Sequence, residues 1–356
     1  MIFQGHYFCV MAGYIYYEYK EITMRRYHLL AVSLLGVSTM LSAQTVLYHS
    51  KVIEPKPMSL AEFPVSKSYT DGMKVIQADF SDPDVTAFTH VEYAKKSGMA
   101  LHLNILTPAQ EIGAVSAPKY PLIVYVQGSA WMKQEMHSMP QLIKMAKKGY
   151  VIAIVEYRHS AVAGFPAQIE DTKTAIRFMK KNGEKYNADT SKIVLWGDSS
   201  GGHTVLMTAV TVNQNKFDDE GQDKDPISLK AVIDFYGPTD ISKMNKEPST
   251  WDHITDKSPE GMFLGGVNVL ENPDKVKPTV PMNYLDKGER IPPILIVHGN
   301  KDRLVPFGQS VMMFDALKKN NKEAVMYQIN GADHGGAPFW SGQMLDIVDD
   351  FIKKHI

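Results

Sequence analysis

Ile193-Val194-Leu195-Trp196-Gly197-Asp198-Ser199-Ser200-Gly201-Gly202 runs from an unbroken apolar segment straight into a glycine-flanked serine. A Gly-x-Ser-x-Gly pentapeptide alone says little, since a chain of this length shows one by chance about one time in ten. Its surroundings say more. Four apolar residues without alternation suit a strand buried on both faces of a sheet. From Gly202 onward apolar residues recur at three-to-four spacing, which predicts a helix over 202–212. Between strand and helix the two glycines permit a turn too sharp for side chains to follow, lifting Ser199 Oγ over the sheet edge. The same turn aims the Ser200 N–H and the helix N-terminus at negative charge developing beside Ser199.

The style of that strand repeats at 122–126, 151–155, 231–233 and 294–297, each a continuous apolar run, and a further strand is expected at 324–329. Helical spacing marks 138–148, 167–182, 309–319 and 340–354. Strand and helix alternate, which predicts an α/β fold: a mostly parallel central sheet with helices on both faces. Ahead of this lie three shorter predicted strands, 74–80, 89–94 and 99–106, with Ser97-Gly98 as a hairpin turn. Residues 238–290 break the rhythm; an irregular insertion of that length reads as a functional cap. There is no internal repeat.

Composition narrows the function. The 356 residues are 44% hydrophobic and 22% charged, with a net charge of −1, so no basic excess is available for a phosphate backbone and nucleic-acid binding is not expected. The single Cys excludes an internal disulfide and a Cys-rich zinc site. Residues 1–23, Tyr-rich and carrying Cys9, read as an over-extended start. Met24-Arg25-Arg26, the apolar run Leu29 to Leu41 and Ser42-Ala43 have the order of a secretory signal peptide over 24–43, too short to span a membrane. The expected mature protein is Gln44–Ile356, periplasmic or secreted, without stable membrane insertion. It divides into an N-terminal surface segment, 44–73, and one α/β domain, 74–356, containing the cap.

A serine hydroxyl needs a base within hydrogen-bond reach, itself oriented by an acid. His298-Gly299-Asn300-Lys301-Asp302 follows one predicted strand and Gly331-Ala332-Asp333-His334-Gly335-Gly336 follows the last. Both loops fall on the sheet edge that holds Ser199, where open α/β sheets place ligands. The order Ser199, Asp302, His334 is the one expected after such an elbow. Asp240, after the strand at 231–236, is a second candidate for the acid. Asp333 adjoins His334 and reads as a turn residue, Asp198 as structural, and His298 as a packed, hydrogen-bonded histidine. His137, His159, His203 and His253 show no ligand spacing, so no metal is expected, and the chemistry needs no cofactor.

The loop Gln127-Gly128-Ser129-Ala130-Trp131 sits where the other half of an oxyanion hole belongs. Taken together with Phe165-Pro166-Ala167-Gln168-Ile169-Glu170-Asp171, Gly197 to His203, Ser258-Pro259-Glu260, Leu264-Gly265-Gly266, His298 to Asp302, Val305-Pro306 and Gly331 to Gly336, it resembles the bifunctional acetylxylan/feruloyl-esterase family. That group lies among the α/β-hydrolases related to hormone-sensitive lipase. The resemblance runs in order from about residue 75 to the C-terminus. It implies the α/β-hydrolase fold, Ser199 as nucleophile, His334 as base, Asp302 as orienting acid, and an oxyanion hole from the N–H groups of Ser200, Ser129 and Ala130. Two positions depart from the family pattern. Gln127-Gly128-Ser129 replaces His-Gly-Gly, which places Ser129 where φ > 0 is expected and leaves Gln127 to hold the loop by hydrogen bonding. Ser200 replaces a common Ala, with little expected effect because the backbone donor is unchanged.

With the signal-like order of residues 24–43, the resemblance implies an exported serine carboxylesterase acting on acetyl- or feruloyl-type esters of small molecules or carbohydrates through an acyl-enzyme. Trp131, Trp251, Met262, Phe263, Phe339 and Trp340 are the candidate pocket residues, core packing being the alternative for each. Three other functions fit parts of the pattern. A peptidase or amidase uses the same three groups, although most oligopeptidase-type members carry a large preceding domain for which there is no room here. A formamidase differs only in its pocket, and a hydrolase-fold binding protein would have lost activity through the altered loop.

Overall fold

A computed structural model describes residues 55–79, 84–109, 118–136, 139–212, 214, 216–218, 225–286 and 290–356. The expectations for the over-extended start, the signal peptide, Cys9 and residues 44–54 lie outside these, as does His137. Eight strands form one sheet: β1 (Val85–Lys96), β2 (Met99–Pro108), β3 (Tyr120–Val126), β4 (Val151–Val155), β5 (Ala188–Asp198), β6 (Leu229–Phe235), β7 (Ile294–Gly299) and β8 (Ala324–Ile329). Their spatial order is β1-β2-β4-β3-β5-β6-β7-β8. β1 and β2 pair antiparallel, β2 meets β4 antiparallel, and the other pairings are parallel.

The apolar runs explain the centre of this sheet. Alternate residues of one strand reach different cores: Leu122, Val124 and Val126 enter one cluster, Ile123 and Tyr125 the other. The first cluster is closed by α2 (Ala167–Asn182), α3 (Ser200–Thr211) and α6 (Gly308–Lys319); the second by α1 (Met139–Lys147) and α7 (Gly342–His355). Strands flanked by helices on both faces have no solvent side, so no alternation survives in their sequence. Every residue of α3 is buried, which makes the helix behind Ser199 the central one.

At the edge, Ser97 (φ 49°) and Gly98 (φ 76°) make the two-residue hairpin expected there, the left-handed pair that matches strand twist. The strand expected at 74–80 is absent from its described residues. Residues 73–79 are irregular, and Val75 and Ile76 are 74% and 91% exposed, because no neighbouring strand offers them a ladder. Between β6 and β7 the insertion carries only short helices, α4 (Pro259–Phe263) and α5 (Pro273–Val276), with 3₁₀ turns at Ile241–Lys246, Lys277–Thr279 and Pro281–Tyr284. Among the described residues no helix is long and apolar enough to cross a membrane.

Candidate active site

The turn after β5 places Ser199 at φ 52° and ψ −126°, a strained conformation for a residue with a side chain. The strain sits on the serine; the glycines serve close approach. A Cβ on Gly197 would lie 2.4 Å from Gly201 O, and one on Gly201 would lie 2.0 Å from Val126 O. The Ser199 N–H donates to Phe235 O at 2.8 Å, tying the elbow to β6.

Two loops converge on the serine. Ser199 Oγ–H donates to His334 Nε2 at 2.9 Å, and His334 Nδ1–H donates to Asp302 Oδ2 at 2.7 Å. Asp302 Oδ1 accepts the N–H groups of Leu304 (2.9 Å) and Val305 (2.8 Å), which orients the carboxylate from behind. His298 adds a second imidazole: its Nε2–H donates to Asp302 Oδ2 at 3.1 Å, while Ser310 Oγ–H donates to its Nδ1 at 2.7 Å. Burial alone would raise the Asp302 pKa. The hydrogen bonds it accepts from His298 and His334 outweigh it and hold the carboxyl well below the usual range.

The rivals sit elsewhere. Asp240 caps the turn at Ile241–Lys246, accepting from Ser242 N–H (3.2 Å) and Oγ (2.6 Å) and pairing with Lys243 at 2.8 Å. Asp333 does more than turn the chain. It accepts Arg303 N–H at 3.0 Å and Nε–H at 2.7 Å, clamping the base loop to the acid loop, and Arg303 pulls its pKa down to about 2. Asp198 Oδ1 accepts Tyr125 O–H (2.6 Å) and Gly128 N–H (2.9 Å), so the elbow holds the oxyanion loop.

That loop corrects three expectations. Left-handed backbone falls on Ala130 (φ 54°) and Trp131 (φ 53°), one and two residues beyond Ser129. And the Ser129 N–H, expected to face the oxyanion, donates to Ser200 Oγ at 2.9 Å. The Gln127 side chain does not hold the loop either, its Oε1 having no partner among the described residues. Gln134 does so instead: its Nε2–H donates to Gln127 O (2.9 Å) and Val155 O (3.1 Å), and its Oε1 accepts Tyr157 N–H at 2.9 Å. Nothing in the spacing of Gln134 announced this.

Above Ser199 lies a cavity of about 390 Å³, whose wall includes Ala130, Trp131, Trp251, His334 and Trp340. Met262, Phe263 and Phe339 are not in it. The short α4 presents Pro259 and Glu260 to the cavity and turns Phe263 inward, stacked on Trp131 at 4.3 Å between ring centres. Phe339 is fully buried against Tyr236 and Phe235. Tyr236, missed in the sequence, sits at φ 44° with its ring 4.6 Å from that of His334. A bulky residue at positive φ directly after a strand is held there by its surroundings, here against the imidazole. His253 and Glu260 form a buried pair in the wall, Nδ1 to Oε1 at 2.9 Å.

Behind the wall, His203 packs against Trp131 and Phe263, its Nε2–H donating to Thr279 O at 2.8 Å. Burial pushes its pKa down to about 4. The unfolded chain's histidine, near 6.5, therefore takes up a proton before the folded one. The corresponding stability, about 3 kcal/mol at most, is present above about pH 6.5 and lost as pH falls toward 4. His203→Gln is expected to lower the Tm at pH 7 and to lose most of that deficit by pH 4.5. A deficit that stays constant between the two would show that the ring is not held neutral.

A mostly parallel sheet flanked by helices, with a serine on the strand–helix elbow and Asp and His on later loops of the same rim, is the α/β-hydrolase fold. The BD-FAE family model matches residues 103–317, and the chain belongs to that family of α/β-hydrolase esterases. It is 27% identical over 226 residues to Esterase LipC of Mycobacterium tuberculosis, covering 60% of this chain and 53% of LipC. The chain thus spans about half the length of the curated relatives it matches. Among solved structures, a truncated form of a carbohydrate esterase from gut microbiota is 30% identical with a TM-score of 0.64, covering 78% of this chain and 98% of that one. A bifunctional GH43-CE protein of Bacteroides eggerthii is 29% identical with a TM-score of 0.62, over 76% of this chain and 38% of its own.

Proposed function

We propose that the chain is a serine carboxylesterase that cleaves acyl esters through an acyl-enzyme. The observation that carries the reading is the unbroken relay from Ser199 Oγ through His334 to Asp302, with spans of 2.9 and 2.7 Å, opening into the cavity. In this mechanism Ser199 Oγ attacks the ester carbonyl while His334 Nε2 takes its proton, and Asp302 holds the ring in the tautomer that accepts it. Backbone N–H groups at the elbow and the 127–131 loop stabilise the oxyanion. His334 returns the proton to the leaving alcohol, then activates a water that releases the acid. The groups named here supply every proton transfer.

Acetyl- and feruloyl-type esters on carbohydrates are the proposed substrates. Support comes from family membership, from the carbohydrate esterase among the structural neighbours, and from an aromatic cavity rim. Trp251, 47% exposed at that rim, offers a flat apolar face to a ring in the substrate. Trp251→Ala is expected to raise KM about three- to tenfold for feruloyl esters and much less for a small acetyl ester; equal effects on both would remove Trp251 from ring recognition. Export is proposed from the signal-like order of residues 24–43, and the N-terminal sequence of the secreted product tests it.

The primary test is covalent labelling by a fluorophosphonate, expected in the wild type and lost in Ser199→Ala. A panel of acetyl, feruloyl and aryl esters beside peptide amides and formamides then assigns the substrate. Labelling without ester turnover, or preference for an amide, would replace the esterase reading.

A further inference from the structure

Ser200 is buried beside the nucleophile at 1% exposure, and its hydroxyl is the acceptor for the Ser129 N–H. The contact belongs to a closed run of donors. Ser129 N–H donates to Ser200 Oγ at 2.9 Å, and Ser200 Oγ lies 3.4 Å from Tyr157 Oη. Tyr157 Oη lies 2.9 Å from Ser129 Oγ, whose own proton goes to Met132 O at 2.6 Å. One direction satisfies all of them: Ser129 N–H to Ser200 O–H, to Tyr157 O–H, to Ser129 O–H, to the Met132 carbonyl. Burial raises the Tyr157 pKa to about 12, so its proton stays in place.

The run encircles the strained part of the loop. Ala130 and Trp131 are consecutive left-handed residues with side chains, a conformation that persists only where surrounding bonds over-determine it. One side is pinned by Gly128 N–H on Asp198 at 2.9 Å, the far side by Ser160 N–H (2.8 Å) and O–H (3.0 Å) on Trp131 O. Ser200 supplies the pin between them. With the Ser129 N–H committed, the Ala130 N–H is the next donor along the loop, and Ala130 lines the same cavity as Ser199.

Resting on the esterase reading, and against the expectation that Ser200 in place of Ala has little effect, we propose that the Ser200 hydroxyl is a positioning residue: it draws the Ser129 N–H away from the substrate so that the Ala130 N–H, paired with the Ser200 N–H, receives the oxyanion. An alanine at 200 would leave the Ser129 N–H without its acceptor and let the loop relax. Because an oxyanion contact counts in the transition state rather than in ground-state binding, the effect belongs in kcat.

The test compares the wild type, Ser200→Ala, Ser200→Thr, Tyr157→Phe and the Ser200→Ala/Tyr157→Phe double variant, by kcat and KM on an aryl acetate and by Tm. Ser200→Ala is expected to lower kcat by about 10- to 100-fold with KM within about threefold. Ser200→Thr, which keeps the hydroxyl, restores most of it. Tyr157→Phe loses less, and the double variant loses no more than Ser200→Ala alone, because both act through one run of bonds. Unchanged or faster kcat in a folded Ser200→Ala variant overturns the proposal, since the released Ser129 N–H would then serve as the donor. If Ser200→Thr is too crowded to fold, Tyr157→Phe decides: lowered kcat at constant KM supports the proposal, and unchanged kcat overturns it. A wild type that neither hydrolyses esters nor takes a fluorophosphonate defeats the esterase reading itself, whereas an active wild type with an indifferent Ser200→Ala defeats only this inference.

Discussion

Ser199→Ala is expected to cut ester turnover by about 10⁴- to 10⁶-fold while leaving the fold intact. The hydroxyl lies 2.9 Å from His334 Nε2 and bonds it, so removing one oxygen removes the attacking atom and strands the base. The residue's backbone is what the elbow needs: its N–H on Phe235 O and its carbonyl under His203 N–H are untouched by the change. Alanine also tolerates φ 52° about as well as serine does. The measurement is kcat/KM on an aryl acetate together with Tm. Turnover within tenfold of the wild type, at an unchanged Tm, would mean that the ester bond is broken by another group.

Asp302→Asn is expected to cost on the order of 10⁴ in kcat with little change in KM. Asp302 Oδ2 accepts both His334 Nδ1–H and His298 Nε2–H, at 2.7 and 3.1 Å. An asparagine can turn its carbonyl oxygen toward only one side of the group. Its amide then opposes donors where the carboxylate accepted them, and His334 is driven to the tautomer that carries its proton on Nε2. In that state it cannot take the proton of Ser199. Asp240→Asn is the matched control: its carboxylate serves Ser242 and Lys243, so turnover should stay within about twofold. The reverse outcome, with Asp302→Asn near normal and Asp240→Asn inactive, would move the orienting acid to the cap.

Much of the architecture was legible because parallel strands buried on both faces cannot alternate. The runs 122–126, 151–155 and 294–297 therefore stood out, and each lies within a strand of the sheet. The stretch 74–80, with Val75-Ile76 among polar neighbours, also read as a short strand and misled, because strand-forming residues record suitability for a strand but not the presence of a partner. The pocket was harder still. Phe263 and Phe339 are aromatic residues near the right loops, but one short helix turn sends the first under Trp131, and the second packs beneath Tyr236. Which way a ring faces at the end of a loop depends on neighbours distant in sequence.

The chain by itself determined the order of its parts: a buried strand, a serine on a glycine-flanked turn, then an acid and a histidine each after a later strand. Those follow from local periodicity and from steric rules that act within a few residues. Only the tertiary structure set Asp302 rather than Asp240 against His334, placed the left-handed backbone on Ala130 and Trp131 rather than Ser129, and committed the Ser129 N–H to Ser200. Each of those outcomes depends on hydrogen bonds between residues 29 to 71 positions apart. Such bonds form only once the sheet has fixed the strand ends beside one another, and so no local pattern encodes them.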